Sequence, residues 1–302
     1  MDEVVKYTEE LERLKILAVN QFGELTEIEK ETIDKTFEWL IENIKIEEGQ
    51  FTIPKNLLEE MNRFVLAVVD IVATNEQYTG KVVSYLKNID LLGENTLSFH
   101  KQYNGLTLKA KKEGAQLSEV QKIITDSLLD SYLDNGLNVH FAEPLKDLIY
   151  RNILSGMSLK EAKFYLGEYI LSGKNGVQTN TNEKGAPGKL SRYLNQTATI
   201  GVDTYTGMIN MQIYKAYEKD ITGFIMSGSL IETSSTQCRK GVTEARETGG
   251  YLTKKQIEDL FTIAKNNKAA LLIEGTDFSN LDINKFHWGC RHEFTPIIKK
   301  PN

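Results

Sequence analysis

Apolar residues recur at helical spacing through the first two-thirds of the chain, and little interrupts them. Ile33, Phe37, Leu40 and Ile44 fall on one helix face, as do Leu57, Met61, Phe64, Val65, Val68 and Ile71. A helix with one apolar stripe has to bury it against another element, so the pattern demands helix-on-helix packing. Proline would break such helices by removing a backbone donor, yet it occurs only five times in 302 residues. Thr26 with Glu29, Ser118 with Gln121 and Ser158 with Glu161 have the spacing of a capping box, which satisfies the first free amides of a helix. These signals predict a helical domain over residues 1–171. Within it the basic stretch GLTLKAKKEGAQ, 105–116, is expected as a solvated helix face.

The pattern breaks at 172–189, where SGKNGVQTNTNEKGAPGK has no apolar period and the residues of an exposed loop. Beyond it Leu190, Leu194, Ala198, Val202, Tyr205, Ile209, Ile213 and Tyr217 form one stripe, the mark of a long helix. The character then changes. Residues 222–231 and 269–274 are expected as short strands, with a helix capped by Thr253 and Gln256 between them. The last segment, HEFTPIIKK, carries Pro296, which suits an edge strand. The expected fold is mainly α, with a small α+β domain following the long helix within 190–302.

Charge narrows the partners. The first 50 residues carry 14 acidic and 6 basic side chains within a chain of net charge −6, so the remainder is close to neutral. Such a front end repels nucleic acid and suits a basic protein surface. The longest apolar run, about 64–73, contains Asp70 and is too short to cross a bilayer, so no membrane partner is expected. The N-terminus lacks a basic-then-apolar leader, and no signal peptide is expected.

The chemistry-bearing residues are sparse and clustered. FHWGCRH, 286–292, holds one of two cysteines and two of four histidines. Cys238, Cys290, His287 and His292 together are the donor set of a structural zinc site, but Cys238 stands alone in sequence. An extended 286–292 would also send His287 and His292 to opposite sides of the strand. Cys238, Cys290 and His292 are the candidate ligands on this reading. The alternatives are buried free thiols, a Cys238–Cys290 disulfide in an oxidising setting, and a Cys290–His292 nucleophile pair. ETSSTQC, 232–238, followed by TEARE, 243–247, resembles the Ser-Thr-Ser strand and Glu-x-Glu loop of ADP-ribosyltransferases, but Glu244 and Glu247 stand three apart rather than two. With no glycine-rich phosphate loop and no HExxH, no catalytic residue is assigned.

The C-terminal segments taken in order resemble a known family. They are LSRYLNQTATIGVDTYTGMINMQIYKAY (190–217), FIMSGSLIETSSTQC (224–238), GGYLTKKQIEDL (249–260) and GCRHEFTPI (289–297), with LIYRNILSGMSLKEAKFYLGEYI (148–170) as the lead-in. This order is similar to that of the tailed-phage minor head proteins, the Mu F-like or phage head morphogenesis family, over about 145–302. The signature residues are Thr233, Ser234, Cys238, Cys290, Arg291, His292 and Pro296. Ser235 stands where many relatives carry arginine, and Trp288-Gly289 precede the second cysteine. The resemblance implies an architectural protein of the phage head, present in multiple copies and acting at or near the portal. Its implied partners are portal or other capsid proteins and packaged DNA, with ejection alongside the DNA a further implication. No cofactor is implied beyond the zinc that the cysteines and histidines suit. It further implies that Cys238 and Cys290 are neighbours, with Arg291 and His292 bonding to the 232–247 segment. The competing expectation is an ejected effector enzyme, ADP-ribosyltransferase-like or nuclease-like.

Overall fold

The computed structural model describes residues 2–23, 25–105, 111–171, 188–228, 230, 232, 234–268, 271–287, 290 and 292–298, with residue 2 and residues 111–117 as backbone. The chain is mainly α with a small antiparallel sheet near its C-terminus, as its periodicity demands. The described residues group into two compact units that do not follow the sequential division at 171/190. One comprises 1–18, 87–124 and 200–302, the other 19–86 and 125–199.

The second unit is helical. Its elements are α2 (Thr26–Asn43), α3 (Leu57–Ala73), α7 (Glu143–Leu154) and α8 (Leu159–Ile170), with parts of α4 (Glu76–Gln102), α5 (Lys111–Leu133) and α9 (Lys189–Tyr217). Helix α2 packs on α3 and α8. The aromatic centre is Phe22, Tyr85 and Tyr132, with ring centroids 5.0–5.7 Å apart. Between α2 and α3 a two-residue hairpin turn joins β1 (Ile46–Glu47) to β2 (Gln50–Phe51). Both turn residues, Glu48 and Gly49, have positive φ, the geometry that matches the twist of paired strands and that glycine adopts without strain. Of the expected capping boxes, Ser158–Glu161 and Thr253–Gln256 form. Thr26 opens α2 without capping it, because Glu29 is drawn inward to accept a hydrogen bond from Ser191 Oγ at 2.7 Å. Ser118 lies inside α5, which begins at Lys111.

The first unit carries the sheet. Its strands are β3 (Gly223–Ser227), β4 (Tyr251–Thr253) and β5 (Glu293–Ile297), in the order β4-β3-β5 and all antiparallel. Pro296 lies on an edge strand, as expected, opposite Phe224. The described part of 269–274 is not a strand. Leu271 is exposed, and Leu272 donates back to Ala264 O beyond α11 (Lys254–Asn266). The third strand is instead Tyr251–Thr253, whose last residue also caps α11. Phe224, Leu252, Ile257, Leu260, Phe286 and Phe294 form the core of this sheet-and-helix layer. Most of the expected 172–189 loop lies outside the described residues, and Lys189 already belongs to α9.

Candidate metal centre

Cys238 sits in the first turn of α10 (Thr236–Glu247), because Ser235 ends the preceding segment as an N-cap. The Ser235 side chain accepts a hydrogen bond from Cys238 N at 3.3 Å. Gly241, one turn on, lets α10 lie close over the sheet, since an added Cβ would stand 2.7 Å from Met226 Sδ. Arg239 fastens the incoming chain by donating to Ser234 O at 3.0 Å and to Glu232 O at 2.6 Å. Arg291 and Thr233 lie outside the described residues.

The second half of the centre comes from the described residues His287, Cys290 and His292. Lys285 has a φ of 61°, and Cys290 N donates to His287 O at 3.1 Å. This turn folds His287 back beside the cysteines and overturns the expectation that the two histidines diverge along a strand. Cys238 Sγ lies 3.4 Å from His287 Nε2 and 3.7 Å from Cys290 Sγ, and the three ligand atoms all lie within 4.8 Å of one another. His292 Nδ1 is 3.7 Å from Cys290 Sγ. Both cysteines are free and buried; sulfurs in contact at 3.7 Å are far from a disulfide bond of about 2.05 Å. The hydrogen bond between them separates their proton affinities. It pulls the Cys290 thiol well down, with His292 assisting against burial, while the same bond and burial push Cys238 up. Two thiols and an imidazole so placed form a donor set able to hold a metal ion.

A buried polar network holds the second half in place. Glu293 is 2% exposed; it pairs with Lys15 of α1 (Asp2–Val19) and accepts from Thr206 Oγ1 at 2.7 Å. Burial would raise the Glu293 carboxyl, but Lys15 and Lys285 outweigh it and hold the group below its usual range. Burial likewise opposes the charge on Lys15, and Glu293 and Asp203 reverse the effect and raise it. Asp282, in the short helix α12 (Leu281–Asn284), accepts from Phe294 N at 2.6 Å, Lys285 Nζ at 3.0 Å and Asn210 Nδ2 at 2.7 Å. Asn210 in turn accepts from His100 Nε2 at 3.2 Å, and Asn104 Nδ2 donates to His100 Nδ1 at 2.7 Å. His100 is neutral in this chain: burial pushes it down to about 4, against the pull of Asn210. The left-handed backbone of Lys285 is costly for a residue with a Cβ, and its buried ion pair with Asp282 keeps it there.

Sequence reasoning paired Cys238 with Cys290 and His292, and the structure adds His287. It missed the network altogether. One signal was present: Lys15 stands four residues after Leu11, on the stripe formed by Val4, Tyr7, Leu11, Leu14 and Ala18. A lysine on a buried stripe asks for a buried partner. Glu244 and Glu247 do not form a site with the cysteines: Glu244 pairs with Lys240 at 3.4 Å, and Glu247 is exposed on the same helix. Among the described residues no helix is long and apolar enough to cross a membrane. No family model, curated protein or solved structure matches the chain.

Proposed function

We propose that the chain is a structural component of a tailed-phage virion, a minor head protein of the Mu F-like kind that works through contacts and not turnover. On this reading it acts at or near the portal during head assembly, in several copies per particle, and can leave with the DNA. The observation that supports it most is the convergence of the segments carrying the resemblance. FIMS (224–227) lies in β3, the stretch ending in Cys238 enters α10, GGYLT leads through β4 into α11, and the stretch after Cys290 becomes β5. These pieces are bound together at Cys238, His287 and Cys290 as a cross-link between distant parts of a small layer.

The metal this donor set suits is zinc, in a structural role. Zinc–sulfur bonds of about 2.3 Å and zinc–nitrogen bonds of about 2.0–2.1 Å give a tetrahedron edges of about 3.8 Å between sulfurs and about 3.5 Å between sulfur and nitrogen. The edges here are 3.7 Å and 3.4 Å. Cys238 and Cys290 as thiolates and His287 through Nε2 would hold the ion. Two soft sulfurs favour zinc over magnesium or calcium, which take oxygen donors.

Quantitative mass spectrometry of purified and emptied particles of the encoding phage tests the virion reading. Low but reproducible copy number in full particles is expected, with loss on emptying marking ejection. Abundance in infected cells with absence from particles would overturn it.

A further inference from the structure

A zinc ion held by Cys238, His287 and Cys290 has one position left. A fourth protein ligand closes the site and makes it structural, whereas a water in that position gives the open site that catalytic zinc enzymes keep. Which of these applies decides between the architectural reading and an enzyme.

We propose that His292 is the fourth ligand, through Nδ1, and that the centre is a closed Cys2His2 zinc site. This rests on the metal reading above and goes beyond it. Three observations carry it. His292 Nδ1 lies 3.7 Å from Cys290 Sγ, within hydrogen-bond reach of the sulfur and close to the sulfur–nitrogen edge of a zinc tetrahedron, about 3.5 Å. The ring is 2% exposed, and its Nε2 is buried without a hydrogen-bond partner among the described residues, so the thiol is the polar neighbour that orients it. Its backbone is also held in place: Glu293, the next residue, is fixed by Lys15 and Thr206, and Phe294 N by Asp282. His292 stands outside the group whose ligand atoms all lie within 4.8 Å of one another, so closure requires its ring to move towards Cys238 and His287 as the ion binds. His287 binds through Nε2 and His292 through Nδ1, so the two imidazoles approach from different segments without crowding.

The test uses the full chain, purified reduced, stripped of metal, and titrated with cobalt(II) and then zinc(II). The wild type should take one cobalt per chain, giving the intense visible absorption of tetrahedral cobalt together with thiolate charge-transfer bands, and zinc should bleach both. His292→Ala should bind zinc on the order of 100-fold more weakly, at or beyond the upper end of what loss of an outer-shell partner costs. Its cobalt spectrum should fall in intensity as water enters, and added imidazole should restore it. His292→Cys should keep tight binding and gain charge-transfer intensity from a third thiolate, an outcome that a packing role for the ring would not produce. Wild-type affinity and spectrum in His292→Ala would refute the fourth ligand while leaving the metal reading intact. No cobalt absorption and no zinc uptake by the wild type would refute the metal reading itself.

Discussion

Replacing Lys15 by methionine should be among the most damaging single changes outside the candidate metal centre. The Lys15 ammonium meets Glu293 and lies 3.3 Å from Asp203 Oδ1, and its side chain is 15% exposed against 2% for Glu293. Methionine fills much the same volume, so the cost comes from charge and not from a cavity. It leaves Glu293 buried with Thr206 as a neutral donor and with Lys285, already paired to Asp282, as the remaining cation nearby. Breaking a buried pair from one side costs about 3–5 kcal/mol. Domain stabilities are about 5–15 kcal/mol, so the variant should lose a large fraction of the total. Adding Glu293→Gln to Lys15→Met removes the stranded charge and should recover part of the loss, giving a coupling of about 1–3 kcal/mol. Lys30→Met is the control: its partner Glu27 is exposed at 2.9 Å, and the change should cost under about 1 kcal/mol. Urea unfolding of the full chain, followed by far-ultraviolet circular dichroism, measures these variants together with wild type and the Glu293→Gln single variant that the coupling requires. Equal midpoints for Lys15→Met and Lys30→Met would mean the buried pair is solvated, and the proposed anchoring of β5 by α1 would be wrong.

Two further outcomes follow from the same contacts. His100 is fully buried with its proton affinity pushed down to about 4 from 6.5, so the unfolded chain takes up that proton first as pH falls. The stability this neutral ring contributes is complete above pH 6.5 and is lost as pH drops towards about 4, a change of about 3 kcal/mol. Subtracting the urea midpoints of His100→Gln from those of wild type across that range should isolate this slope, and parallel curves would refute it. Ser158→Ala removes a capping box from α8 and should cost about 1 kcal/mol, read as a small drop in the same midpoint; no change would mean solvent already satisfies those amides.

The helical fold was legible because its signal is periodic and local. The stripe from Leu190 to Ile213 predicts α9, and every residue of it from Leu190 to Ile213 is buried. Pro296 similarly identified the edge strand. What escaped is non-local. Tyr251–Thr253 is too short to show an alternation, and it becomes a strand through pairing with β3. The run after Lys268 is apolar enough to suggest a strand, but its described residues find no partner in the sheet. At the candidate metal centre, residue types gave the donors but not the turn at Lys285 that gathers them. That turn depends on an ion pair with Asp282, which in turn is held by Asn210 and Phe294 N from other parts of the chain. No spacing rule reports such a contact.

The proposed metal clasp at Cys238, His287, Cys290 and His292 ties the C-terminal layer together. X-ray absorption at the zinc edge on the reduced, zinc-loaded full chain tests it most directly. The proposed clasp gives zinc two sulfur neighbours at about 2.3 Å and two nitrogen neighbours at about 2.0–2.1 Å. A chain that takes up no zinc, or zinc surrounded by oxygen and nitrogen alone, would contradict it.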